Sequence, residues 1–208
     1  MMNMMAISVA ILAGGQGRRM GGLNKALLSV RGDTIIERQL REARKVSDDI
    51  IVVCQNEDMT RYLSAFETVR SIPDQYIGEG PLAGVHAGLS AATHPFVWVL
   101  GCDMPYPDFK VVRYLIERMQ KGAYDAVIPY IGGRPQPLHA IYRKEFGAVA
   151  GQKLRAGERK LMALFDQANW LGIEEQELTA NGFSSIFSDD IDTPEQYANA
   201  NSPMTDDR

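Results

Sequence analysis

With 208 residues, the chain is long enough for one sizeable α/β core and too short for two ordinary domains. Apolar residues make up 45% and charged residues 23%, which sets aside the disordered and fibrous classes. The formal net charge of −4 argues against sequence-independent nucleic-acid binding, so an anionic ligand must be met by local positive charge.

The first predicted element is a strand over 6–13. The N-terminal run has no basic lead and no small-residue cleavage signal, so it reads as a strand and not a secretory peptide. No apolar run approaches the roughly 18–20 residues that a membrane span needs, and the cytoplasm is the expected compartment. The strand runs into the glycine-rich, basic stretch "LAGGQGRRMGGLNK", residues 12–25. A helix is predicted over 34–46, with Ile35, Ile36, Leu40, Ala43 and Val46 on one face. Strands at 50–54 and 68–72 follow, then a small, apolar segment at 81–92 that reads as a buried helix. A strand at 96–101, an amphipathic helix over 108–121 and strands at 126–129 and 138–142 complete the series. Residues 1–198 read as one domain, and the polar 199–208 as a flexible tail.

Apolar strands separated by helices indicate a three-layer α/β/α, Rossmann-like fold, with a mostly parallel central sheet covered by helices on both faces. Ligands bind such sheets beyond the carboxyl ends of the strands, which places the loops starting at Gly14, Cys54, Pro73 and Cys102 on one rim. The two cysteines are far apart in sequence, without metal-ligand spacing, and read as small core residues.

Gly14, Gly15 and Gly17 let backbone approach a ligand closely and offer amides to oxygens, while Arg18, Arg19 and Lys25 add charge. The P-loop pattern is absent, because Lys25 is flanked by Asn24 and Ala26. The dinucleotide fingerprint meets Met20 where its third glycine belongs, which disfavours a hydride-transferring dehydrogenase. A longer loop wrapping a triphosphate fits better. Asp103 follows a strongly apolar strand, so its carboxylate projects at the rim, where it could ligate Mg²⁺ or cap a turn before Pro105. Asp192 in "DDIDTPEQY" is a second candidate metal ligand; Asp190 competes with it, and Asp-Thr-Pro-Glu is also a good helix start. His139, on an apolar alternation, reads as a packed strand histidine, and His86 and His94 have no metal spacing.

"LAGGQGRRMGGLNKALL" resembles the signature of nucleotidyltransferases that join a nucleoside triphosphate to a phosphorylated acceptor. Together with "GPLAGVHAGL", "GCDMPYP", "RPQPLHAIYR", "AGERKLMALF" and "DIDTPEQY", the chain is more narrowly similar to the molybdenum cofactor guanylyltransferases. That resemblance implies transfer of GMP from GTP to molybdopterin with Mg²⁺ as cofactor, Arg19, Lys25 and Asp103 carrying the chemistry and Asp103 and Asp192 lying at the metal. It implies that backbone at Leu12, Ala13, Gly14 and Gly15 cradles the nucleotide, that Asn56 and Asp74 read base and ribose, and that Gly80 in "GEGPLAG" closes over it. Asp74 reads equally as a turn former after Pro73. Two departures stand out: Cys54 occupies the position where the family has asparagine, and Asn24 the one where it usually has aspartate. Part of the set Arg134, Arg155, Arg159 and Lys160 is implied to hold the pterin phosphate, and an insertion chaperone or a molybdoenzyme would receive the product. CTP with molybdopterin, or a triphosphate with a sugar or polyol phosphate, are the nearest alternatives; a non-catalytic nucleotide-binding module is the alternative of another class.

Overall fold

The structure, a computed structural model, describes residues 7–14 and 24–202. Strand β1 (Ile7–Leu12) is fully buried and lies inside an eight-stranded sheet. Its residues divide between two cores: Ile7, Val9 and Ile11 face one side, Ala10 and Leu12 the other. That division is the two-residue period of a strand with apolar layers on both faces.

A small hairpin follows, β2 (Ser29–Val30) and β3 (Asp33–Thr34), closed by Arg31 and Gly32 with φ of 51° and 91°. Two successive positive φ values match the right-handed twist of a hairpin. For Arg31 that conformation is unusual, and it is held by contacts to residues 200 and 201: its amide donates to Asn201 Oδ1 at 2.9 Å and its Nε to the Ala200 carbonyl at 3.1 Å.

Helix α1 (Ile35–Ala43) starts in a capping box between Thr34 and Glu37 and buries the predicted apolar face. It is shorter than 34–46, because the chain leaves the helix at Arg44. Then come β4 (Asp49–Val53), α2 (Glu57–Leu63), β5 (Val69–Ile72), α3 (Pro81–Ala91), β6 (Phe96–Gly101) and α4 (Phe109–Gln120). Helix α3 lies close on β1: a Cβ at Gly88 would stand 2.7 Å from that of Ala10. The remaining elements are β7 (Ala126–Ile131), β8 (Arg134–Pro135), β9 (His139–Arg143), α5 (Phe146–Arg155), β10 (Trp170–Ile173), α6 (Glu175–Ala180) and α7 (Pro194–Asn201).

The strand order is β10-β7-β9-β6-β1-β4-β5, with β8 pairing β7. The expected parallel sheet is present, with β9 as an exception that runs antiparallel to both β6 and β7. The reason is length: residues 132–138 are too few for a crossover, which takes about a dozen, so the chain must turn back. Asn199–Ser202, the described part of the expected tail, is the end of α7 and is bound to Arg31, while the Tyr106 hydroxyl also donates to the Ala200 carbonyl.

At the amino end of the sheet, Asp49 accepts from the Ser8 hydroxyl at 2.6 Å, the Thr93 amide at 2.9 Å and hydroxyl at 2.7 Å, and Arg70 at 2.6 Å. The opposite end is built differently. There Leu12 pairs with both Val53 and Gly101, so β1, β4 and β6 finish level and open their loops side by side.

Candidate active site at the carboxyl rim

The rim forms where the order reverses about β1, the place at which open α/β sheets take ligands. Leu12 gives its carbonyl to the Cys102 amide, and the Ala13 amide donates to Val53, so the exit of β1 is tied to both neighbours. Gly14 is exposed, and no described atom lies within 4 Å of where its Cβ would be. Gly15, Gly17, Arg18 and Arg19 lie outside the described residues. Lys25 stands at the rim in a short 3-10 turn, Lys25–Leu27, which Asn24 caps through its side-chain oxygen on the Ala26 amide at 3.2 Å. Asparagine at 24 thus serves as a neutral cap beside the lysine.

Lys25 is the centre of the site. Its ammonium bonds the Asp192 carboxylate and lies 3.7 Å from Asp103 Oδ2. Burial opposes the charge, yet the Asp192 hydrogen bond and the two carboxylates outweigh it and hold the lysine pKa above its ordinary value. The Asp103 carboxyl is pushed up by burial against the pull of Lys25, with Asp192 and Asp190 adding to the rise. Adjacent Cys102 is buried, and its thiol is pushed up to about 12, so it is an inert neighbour and not a nucleophile.

Asp103 sits in a turn between Gly101 and Met104, whose ends are joined by the Met104 amide donating to the Gly101 carbonyl at 3.3 Å. The Asp103 carbonyl accepts from the Ile191 amide at 2.9 Å, which brings in the Asp192 segment. A Cβ at Gly101 would stand 2.8 Å from Asp103 Oδ1, so glycine leaves the space the carboxylate uses. Asp192 is not the helix cap. Thr193 caps α7, with Gln196 accepting from the Asp192 and Thr193 amides at 2.7 and 2.8 Å, and the Asp192 carboxylate turns to Lys25. Gln196 also donates to Asp190 at 3.1 Å, away from the lysine.

The other sequence-predicted residues take different roles. Asn56 caps α2, accepting from the Met59 amide at 2.9 Å. Cys54 is buried beside Ser71 at 3.2 Å and Thr60 at 3.7 Å. Asp74 accepts from the Tyr76 amide at 2.9 Å and gives its carbonyl to Gln55, while burial pushes its carboxyl up. Gly80, with φ of 81°, starts α3, and a Cβ there would lie 3.7 Å from the Arg159 carbonyl. The Arg159 guanidinium pairs with Glu79, so "GEGPLAG" and "GERK" meet across the rim. Arg134, Arg155 and Lys160 are exposed. His139 is packed as expected, 5.3 Å from the Trp98 ring and 4.7 Å from Phe187, with burial taking its pKa down to about 4.

Sequence reasoning missed Gln39, Gly101 and Gln196, which touch the acid-bearing loops. Gly101 and Gln196 lie within the quoted "GCDMPYP" and "DIDTPEQY", which could have found them, whereas Gln39 lies in no quoted motif. Among the described residues, no group of three or more histidines, cysteines or acids gathers to hold a metal, and no helix is long and apolar enough to cross a membrane.

Residues 9–171 match the family model of the MobA-like NTP transferase domain. A molybdenum cofactor guanylyltransferase from Pseudomonas putida is 34% identical over 186 residues, covering 86% of this chain and 93% of that protein. A "probable molybdenum cofactor guanylyltransferase" from Natronomonas pharaonis is 32% identical over 197 residues, covering 91% and 94%. The crystal structure of molybdopterin-guanine dinucleotide biosynthesis protein A from Archaeoglobus fulgidus superposes with a TM-score of 0.80 at 28% identity, covering 93% of this chain and 96% of that one.

Proposed function

The chain belongs to the MobA-like NTP transferase family, and from that premise we propose that it transfers GMP from GTP to the phosphate of molybdopterin, or of its molybdenum form, releasing pyrophosphate. The observation that carries the reading is the meeting of Lys25, Asp103 and Asp192 beside the exit of β1. A packed core does not need an ammonium and two carboxylates at a switch point; a polyphosphate with its counter-ion does.

The donor set fits Mg²⁺, which is bound through one or two carboxylates and completes its shell with phosphate oxygens and water. Asp103 and Asp192, which meet at Lys25, would hold it. When bound, the ion would supply charge neutralisation to the phosphates.

The acceptor phosphate is already an anion, so this chain needs neither a nucleophilic side chain nor a strong base. The acceptor's oxygen forms the new bond to the α-phosphorus of GTP, and the bond from that phosphorus to the departing pyrophosphate oxygen breaks. Lys25 offers a compact cation to the leaving group, with Arg19 and the amides of Gly14 and Gly15 assigned the same task. Its raised pKa keeps the ammonium charged throughout the neutral range. The chain's contribution is thus placement and charge. Asp74, half-buried on the rim, is the carboxylate available to a guanine edge, and Asn56 lies on the same side. Product passes to a molybdoenzyme or an insertion chaperone.

The test is pyrophosphate release with molybdopterin, magnesium and each triphosphate in turn. Release with GTP and little with CTP is expected; a preference for CTP would reverse the choice of base. Tight GTP binding without release under any condition would make the protein a nucleotide-binding module.

A further inference from the structure

Gln39 lies on α1, wholly buried, and no part of the reading above uses it. Its Nε2 donates to the Gly101 carbonyl at 2.7 Å and to the Met104 carbonyl at 2.9 Å. Because both partners are carbonyls, only the amide nitrogen can face them, which fixes the orientation of the group. These two carbonyls are the first and last of the turn that carries Asp103. The side-chain oxygen of Gln39 is buried and has no hydrogen-bond partner. An orphaned buried acceptor costs about 1–3 kcal/mol, and Gln39 carries one while it satisfies the turn's two carbonyls.

Each end of the turn therefore has its own anchor. Leu12 holds the Cys102 amide, the Ile191 amide holds the Asp103 carbonyl, and Gln39 spans the ends from beneath. Leu12 closes the central strand and Ile191 lies in the segment that leads to α7. Of these three anchors Gln39 comes from the helix layer, so it ties the turn to α1 as well as to the sheet.

We propose that Gln39 is a positioning residue, which sets the direction of the Asp103 carboxylate by clamping the two ends of its turn. It acts through backbone and touches no substrate. The proposal rests on the reading of Asp103 as a metal ligand, and the experiment separates the two.

Gln39→Met keeps most of the volume, removes both donors and removes the orphaned acceptor. Gln39→Glu keeps the shape and turns a carboxyl group towards the two carbonyls. Mn²⁺ binding is read by electron paramagnetic resonance on the full chain with GTP and no acceptor, alongside thermal melts. Both variants are expected to bind Mn²⁺ about 10-fold more weakly, the lower end for loss of a group that supports a metal ligand. GTP affinity without metal and the Gln39→Met melting temperature should stay near those of the parent. Unchanged Mn²⁺ affinity in a folded variant would overturn the proposal. So would failure of both variants to fold, since Gln39 would then be a structural core residue. Asp103→Asn is run beside them. If it binds Mn²⁺ normally, the metal role of Asp103 falls and the proposal with it; if it loses binding while the Gln39 variants keep it, only the proposal falls.

Discussion

Gly101→Ala tests the acid centre with a single methyl group. The new Cβ would stand 2.8 Å from Asp103 Oδ1, whereas ordinary contact begins at 3.4 Å, so the carboxylate must withdraw by about 0.6 Å. Leu138 Cβ is already at 3.4 Å and does not oppose the change. Gly101 is the last residue of β6 and is not among the described residues of positive φ, so alanine brings no backbone strain and stability should change by less than about 1 kcal/mol. Catalysis by placement is far less tolerant: a displacement of about 1 Å in a reacting constellation costs on the order of 10²-fold, so about 0.6 Å is expected to lower turnover by roughly 10–100-fold. The assay is pyrophosphate release at saturating GTP and molybdopterin across a magnesium titration. The half-maximal magnesium concentration should rise while GTP affinity measured without metal stays put. A folded Gly101→Ala protein with parental turnover and parental magnesium dependence would refute the placement of Asp103 at the reacting phosphates.

Lys25→Ala should lower turnover by about 10²–10³-fold, the scale for losing one charged stabiliser of a developing anion, and a near-parental rate would remove Lys25 from the site. Asp49→Asn should cost about 2–4 kcal/mol at neutral pH in denaturant melts, because Arg70, Ser8 and Thr93 lose their charged partner. Burial alone would raise the Asp49 carboxyl, but these hydrogen bonds overcome it and hold its pKa well below the carboxylate range. Its stabilisation is therefore fully present above the ordinary value of 3.8 and lost as pH falls through the folded-state value. The gap between parent and variant should narrow below about pH 4, and a gap independent of pH would refute the charged role. Gly88→Ala should destabilise by about 1–3 kcal/mol, since a Cβ 2.7 Å from Ala10 forces α3 off the sheet; an unchanged denaturation midpoint would refute that close approach.

The sheet was legible because its strands are buried on both faces and read as unbroken apolar runs. Helices α1 and α4 were legible from their faces, within a residue or a turn at the ends. The antiparallel run of β9 was implicit in the short stretch after Ile131, but chain length between elements is a weaker signal than periodicity. Trp170–Ile173, with Gly172 inside and no strong run, gave no strand signal and takes its form from pairing with β7. At the site, Asp103 and Lys25 could be placed on one rim from topology alone. The reason Asp192 reaches Lys25 could not be read: it depends on Thr193 taking the cap and on Gln196 holding two amides, a competition decided within a few residues. Gln39 was invisible for a related reason, since a polar residue on the apolar side of a helix becomes meaningful only when its partners are known.

The bond from Arg31 to the final turn of α7 bears on how the centre keeps its shape. The hairpin that follows Lys25 and the helix that follows Asp192 are stitched together there, at a point remote from either charge. Lys25 and Asp192 stand 167 positions apart in the sequence, so their pairing needs a brace of this kind. A change that cuts the stitch, such as Asn201→Ala, would let ammonium and carboxylate drift apart without touching either one.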